Sequence, residues 1–223
     1  MQRFEDFKSF SDGRIYGLND MVKADCHDCR DCHKCCSQDM GKSITLDPLD
    51  IYRLTAGTGK AFEALVGNEI ELSVIDGIII PNMLMSGAKE GCRFLNEKGR
   101  CSIHPYRPGI CRLFPLGRIY QGQDFSYFLQ INECSMKNRS KVKVSKWIDT
   151  PDLDKYTAFV RKWHNFTKMA AKKAANLDEG VQRKLMLYIL QVFYSTPYNP
   201  ENDFYPQFDE RFKIAVREIN HIK

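Results

Sequence analysis

The chain has 223 residues, a formal net charge of +5, 43% hydrophobic residues and 12% aromatic ones. That composition buries a substantial core without crosslinks. A small excess of Lys and Arg, interleaved with Asp and Glu, gives no strong nucleic-acid signal. No apolar run approaches the roughly 20 residues that span a bilayer, so no membrane association is expected.

The first residues, Met1-Gln2-Arg3-Phe4-Glu5-Asp6-Phe7-Lys8, carry acids where a secretory signal would place an apolar stretch. A cytoplasmic location is therefore expected. Phe4 to Lys23 form a polar lead-in with no clear period, and residues 1–24 are assigned to it. Past a dense cysteine run, Asp47-Pro48 reads as a helix cap with proline at the first helical position. It opens a short helix, Leu49 to Thr55, that Gly57 closes. Lys60 to Val66 reads as another short helix, ended by Gly67-Asn68. Glu69 to Ile75, Asp76-Gly77 and Ile78 to Pro81 predict a β-hairpin, because β-branched residues flank a turn that tolerates positive φ. A second hairpin is predicted from Leu116 to Tyr120 and Phe125 to Ile131.

Beyond Lys141 the pattern turns helical. Thr150 is the expected cap of a long helix carrying Leu153, Tyr156, Val160, Trp163 and Phe166, and reaching about Ala175. A second helix is predicted from Glu179 to Tyr194 and a third from Pro206 to His221. The fold class is α+β: a cysteine-rich metal-binding unit with short helices and two β-hairpins over residues 25–140, then a mainly helical part, 141–223, packed on it.

Five of the nine cysteines fall within eleven residues: Cys26, Cys29, Cys32, Cys35 and Cys36. Cys92, Cys101 and Cys111 mark a second compact stretch, and Cys134 follows. Thiolates this dense repel one another unless a cation lies between them, which points to a sulfur-ligated metal. An odd count in a reducing compartment argues against a disulfide framework. All nine cysteines are candidate metal ligands.

The run Cys26-x2-Cys29-x2-Cys32-x3-Cys36 has the spacing that bacterial ferredoxins use for a 4Fe–4S cluster, without the usual proline after the fourth cysteine, here Ser37. Cys29 and Cys32 with Cys35 or Cys36 would equally suit tetrahedral zinc. An iron–sulfur cluster, 4Fe–4S in type, or zinc is therefore the expected cofactor. The density suits a cluster or two sites. Arg93, Arg100, Arg107 and Arg112 lie among the later thiols, where they would neutralise an anionic centre or else pair with surface carboxylates.

The order Cys29-x2-Cys32-x2-Cys35-Cys36, then Cys92-Arg93-Phe94-Leu95, Cys101-Ser102-Ile103, Arg107-Pro108-Gly109-Ile110-Cys111-Arg112-Leu113-Phe114-Pro115 and Cys134, resembles the YkgJ-like cysteine-cluster proteins. The resemblance covers Asp25 to Cys134, about half of the chain. It implies zinc or iron chelation with Cys29, Cys32, Cys35, Cys36, Cys92, Cys101, Cys111 and Cys134 as the ligand set. Cys26 is extra to that pattern and is either a spare thiol or an exchangeable ligand. Some flagellin lysine N-methylases carry a related cysteine-rich region, so the resemblance also admits a cluster-dependent redox or group-transfer enzyme.

Weaker candidates surround this reading. His27, His33 and His104 lie among the thiols, whereas His164 and His221 fall on predicted helices and read as ordinary histidines. Gly57-Thr58-Gly59-Lys60-Ala61 lacks the spacing of a phosphate loop. The first cluster steps by two rather than by the three-then-two spacing of a radical S-adenosylmethionine site. Thiol–disulfide exchange at Cys35-Cys36 ranks last, because it needs only two cysteines.

Overall fold

Short helices and antiparallel strand pairs precede three longer helices in this computed structural model, which describes residues 7–26, 32–36, 44–86, 91–134, 136 and 138–222. Helix α1 (Phe7–Phe10) sets two rings edge-on against Phe128, each at 5.5 Å. Strand β1 (Met21–Asp25) follows, with Val22 and Ala24 pointing inward. The described part of the polar lead-in, which shows no clear period in sequence, is packed, and its backbone also bridges Ser11 to Gln130 and Tyr16 to Tyr127.

Helix α2 (Pro48–Thr58) starts as the sequence predicts. The Asp47 carboxylate accepts from Asp50 N at 2.9 Å, and the Asp50 carboxylate accepts from Asp47 N at 3.1 Å, a reciprocal capping box. Its end lies later than predicted. Gly57 stays helical, and Gly59 takes the left-handed terminal position at φ 69°. After α3 (Phe62–Leu65), strands β2 (Ile70–Ile75) and β3 (Ile78–Met83) pair across a turn with Asp76 at φ 50° and Gly77 at φ 75°, as the dipeptide demands.

Two short strands, β4 (Met85–Ser86) and β5 (Gly91–Cys92), lead to α4 (Gly109–Leu113). The second predicted hairpin is β6 (Leu116–Gln121) paired with β7 (Asp124–Leu129). Strand β8 (Ser140–Lys143) then returns to pair antiparallel with β1. Helix α5 (Val144–Ile148) buries Val144 and Ile148.

The three long helices are α6 (Leu153–Ala174), α7 (Glu179–Leu190) and α8 (Phe204–His221). Thr150 does not cap α6. Its hydroxyl donates to Ile148 O, and Asp152 precedes the helix in the left-handed conformation without a side-chain cap bond. Helix α7 continues as a π-helical turn, Gln191–Ser195, and Arg211 closes the break behind it by donating to Val192 O, Thr196 O and Pro197 O.

Aromatic packing joins these helices. Phe193 lies 5.0 Å from both Trp163 and Phe166, and Phe159 lies 4.8 Å from Phe208. One buried cluster runs from Val22 and Leu54 through Leu113 to Phe208, so the cysteine-bearing segment and the helices share a core. Tyr194 fastens the two by donating to Leu46 O at 3.1 Å, just before α2. Among the described residues, no helix is long and apolar enough to cross a membrane.

Candidate metal centre

The described cysteines are presented by several separate parts of the fold. Cys26 follows β1 directly and is buried. A single 3-10 turn, Lys34–Cys36, presents Cys35 and Cys36, with Cys32 just ahead of it. Cys92 sits in β5 opposite Met85. The chain from there to Cys101 folds back on itself through a Leu95–Cys101 bridge. The Asn96 carboxamide oxygen holds that loop, accepting from Lys98 N and Arg100 N at 3.0 and 2.9 Å. Cys111 rides on α4, and Cys134 comes after β7. His27 and Cys29 lie outside the described residues.

All eight described cysteines line one or both of two adjoining cavities. The first, of about 70 Å³, is walled by Cys26, Cys32, Cys35, Cys111 and Cys134, with Lys34, Arg107 and Arg112 beside them. The second, of about 80 Å³, is walled by Cys32, Cys35, Cys36, Cys92, Cys101 and Cys111, with Arg100 and Arg107. Cys32, Cys35, Cys111 and Arg107 are common to both. Among the described residues no disulfide joins two cysteines. Nor does any group of three or more His, Cys, Asp and Glu among them stand in metal-ligating geometry.

The thiols of the second cavity act on one another. Cys36 is pulled down to about 7, first by a hydrogen bond from Cys35 and then by the Arg107 and Arg100 guanidiniums, against the opposing cost of burial. Burial pushes Cys92 up to about 11; the Phe94 N–H opposes that rise, and negative charge at Cys36 and Cys101 adds to it. Cys101 is raised by burial and by Cys36, although the Ile103 N–H and both arginines favour its thiolate. Cys111 is raised furthest, by burial and then by Cys92, Cys36, Asp50 and Cys101. Several thiolates can share this space only with cations among them.

The arginines expected around the thiols divide into distinct roles. Arg107 lines both cavities, and its Nε is buried without a hydrogen-bond partner, an unspent donor beside the sulfurs. That orphan fits an anionic metal–thiolate group, which would accept from it. Arg112 is committed elsewhere: it donates to the carbonyls of Pro105, Arg107 and Asp149, tying three loops together. Arg93 Nε donates to Asn68 O away from both cavities.

His33 and His104 border the second cavity, and the His104 ring is in contact with Arg107. Trp147 packs against the core, borders the first cavity and donates to Leu113 O at 3.1 Å. His221 lies at the end of α8, where its ring nitrogen faces Arg217 O.

No curated protein and no solved structure matches this chain. Cavities walled mainly by cysteines, with arginines beside them, agree with a family profile that the chain matches. That profile, CxxCxxCC, matches residues 28–144, half of the chain. The chain therefore belongs to the CxxCxxCC family, described as "Putative zinc- or iron-chelating domain".

Proposed function

We propose that this chain holds an iron–sulfur cluster or zinc through cysteine thiolates in a two-lobed centre. Cys26 and Cys134 serve one lobe. Cys36, Cys92 and Cys101 serve the other, and Cys32, Cys35 and Cys111 stand between them. Cys29 completes the ligand set. Residues 25–140 form the metal-binding domain, with 141–223 packed on it as a helical support. The observation that carries this reading is the gathering of all eight described cysteines around two joined cavities. A bound metal or cluster would supply the positive charge that lets these buried thiols ionise. The reading places the protein in a reducing compartment, the cytoplasm, where such thiols persist.

Purification without oxygen, followed by iron, zinc and acid-labile sulfide analysis per chain, tests it. Iron with sulfide and a visible charge-transfer band is expected for a cluster, and a colourless protein with stoichiometric zinc for the alternative metal. A folded protein that carries neither, and takes up neither on reconstitution, overturns the proposal.

A second reading, a cluster-dependent redox or group-transfer enzyme, has one observation in its favour. Helix α4, which carries Cys111 toward the cavities, also presents Ile110 and Leu113 to a much larger cleft. Dithionite reduction with a search for S-adenosylmethionine consumption separates it from simple metal binding.

A further inference from the structure

That cleft has a volume of about 710 Å³, and no cysteine lines it. Its volume falls within the range of small-molecule sites. Five parts of the fold converge on it: the start of α2, the β2–β3 hairpin, α4, β6 and one side of α6. Its apolar wall is built from Ile75, Ile78 and Ile80 on one side and Val160 and Trp163 on the other.

The polar groups divide by what they have left to give. The Asp50 carboxylate already accepts from Gly109 N and Asp47 N, and the Asp47 carboxylate accepts from Asp50 N. These acids are structural caps. The nitrogen-bearing side is different. Arg118 Nη2 donates to Tyr156 Oη at 2.6 Å and its guanidinium also interacts with the Tyr120 and Tyr127 hydroxyls, while its buried Nε makes no hydrogen bond. His164 stacks on Tyr120 with ring centroids 3.5 Å apart, and its Nε2 is likewise buried and unpartnered. Lys168 and Lys172, one turn apart on α6, are exposed at the edge. Orphaned nitrogens on two separate elements, beside an apolar wall and under two ammonium groups, make a receptor for negative charge.

We propose that this cleft binds an amphipathic organic anion, a carboxylate or phosphate head on an apolar body. The head is drawn to the Arg118, His164, Lys168 and Lys172 side, and the body lies against the isoleucines of the hairpin and Trp163. Burial keeps the carboxyl of Asp47 raised and less charged, which reduces repulsion of such a ligand. This inference stands whether or not the cysteine centre holds metal, because none of its residues is a cysteine.

Isothermal titration of the full chain as purified, with decanoate and separately with 1-naphthyl phosphate, tests it. At least one probe is expected to bind with a dissociation constant below about 1 mM; which of them binds identifies the head group. The double variant Lys168→Glu/Lys172→Glu is expected to weaken that binding by about tenfold or more. Ala171→Phe, which fills the cleft without changing charge, is expected to abolish it. Lys184→Glu, on the exposed side of α7, is expected to leave it unchanged. Circular dichroism confirms that each variant folds. Failure of both probes to bind, binding that survives both cleft variants, or equal loss in Lys184→Glu overturns the proposal. So does binding of an acidic peptide by a protein that takes neither probe.

Discussion

The Asp50 carboxylate accepts a hydrogen bond from Gly109 N at 2.7 Å, across 59 residues of chain and in a buried setting. This bond ties the first turn of α2 to the first residue of α4, and so fixes the helix that carries Cys111. Gly109 has no room for a side chain, since a Cβ there would approach the Tyr156 hydroxyl to 2.5 Å. Gly109→Ala is therefore expected to destabilise the protein by roughly 1–3 kcal/mol, the usual cost of overpacking, and to lower metal content per chain. Urea unfolding together with metal analysis checks both. Unchanged stability would show that α4 is not held by this contact.

The sharing of Cys111 between the two cavities predicts unequal consequences for single cysteine variants. Cys111→Ser is expected to strip metal from both lobes. Cys92→Ser and Cys101→Ser should spare whatever the lobe of Cys26 and Cys134 holds, and Cys26→Ser and Cys134→Ser should do the converse. Elemental analysis of the anaerobically purified variants reads the result. Identical, complete loss in all five would mean one indivisible centre.

Arg107 and Arg112 are five residues apart and should fail differently. Removing the donors of Arg112 leaves the Pro105, Arg107 and Asp149 carbonyls short of a partner. Arg112→Met is expected to cost about 3 kcal/mol, on the scale of buried groups left unsatisfied. Arg107→Gln is expected to leave the fold intact while speeding metal loss to a chelator, because it removes positive charge from both lobes. Thermal unfolding and the rate of transfer to a chelator separate the two. Arg107→Gln protein that releases metal at the parent rate would deny Arg107 its electrostatic role.

His164 supplies a pH signature. Burial, and next the charge of Lys168, lower its pKa from 6.5 to about 4. The unfolded chain therefore takes up a proton that the folded one refuses. The stability gained from the neutral ring is present above about pH 6.5 and is lost as the pH falls through about 4. Comparing the parent with His164→Phe, which can keep the stack on Tyr120, isolates this effect. The parent is expected to lose stability relative to the variant between pH 7 and pH 4. Parallel curves over that window would contradict the assignment.

Signals carried by adjacent residues were legible in the sequence. Asp47-Pro48 opens α2 and Asp76-Gly77 turns the first hairpin because each works through its own backbone. Thr150 misled because Asp152 takes the left-handed conformation and starts α6 without a side-chain cap. The inward alternation of Val22 and Ala24 was visible in principle, yet the partner that makes it a strand lies beyond residue 139. Density marked the cysteines as candidate donors, whereas their division between two cavities depends on contacts among distant segments. The anion cleft was illegible for the same reason: His164 reads as an ordinary helical histidine until β6 brings Tyr120 and Arg118 beside it.

The clasp of β1 with β8 has a consequence for how the centre is assembled. Cys26 immediately follows one strand and Cys134 shortly precedes the other, so the pairing itself gathers the two extremes of the cysteine-bearing segment. Ring closure over more than a hundred residues is thereby charged to the folding of the polypeptide. If the proposed centre is right, such a scaffold is expected to keep its fold when the metal is removed, unlike a zinc finger, which collapses when emptied.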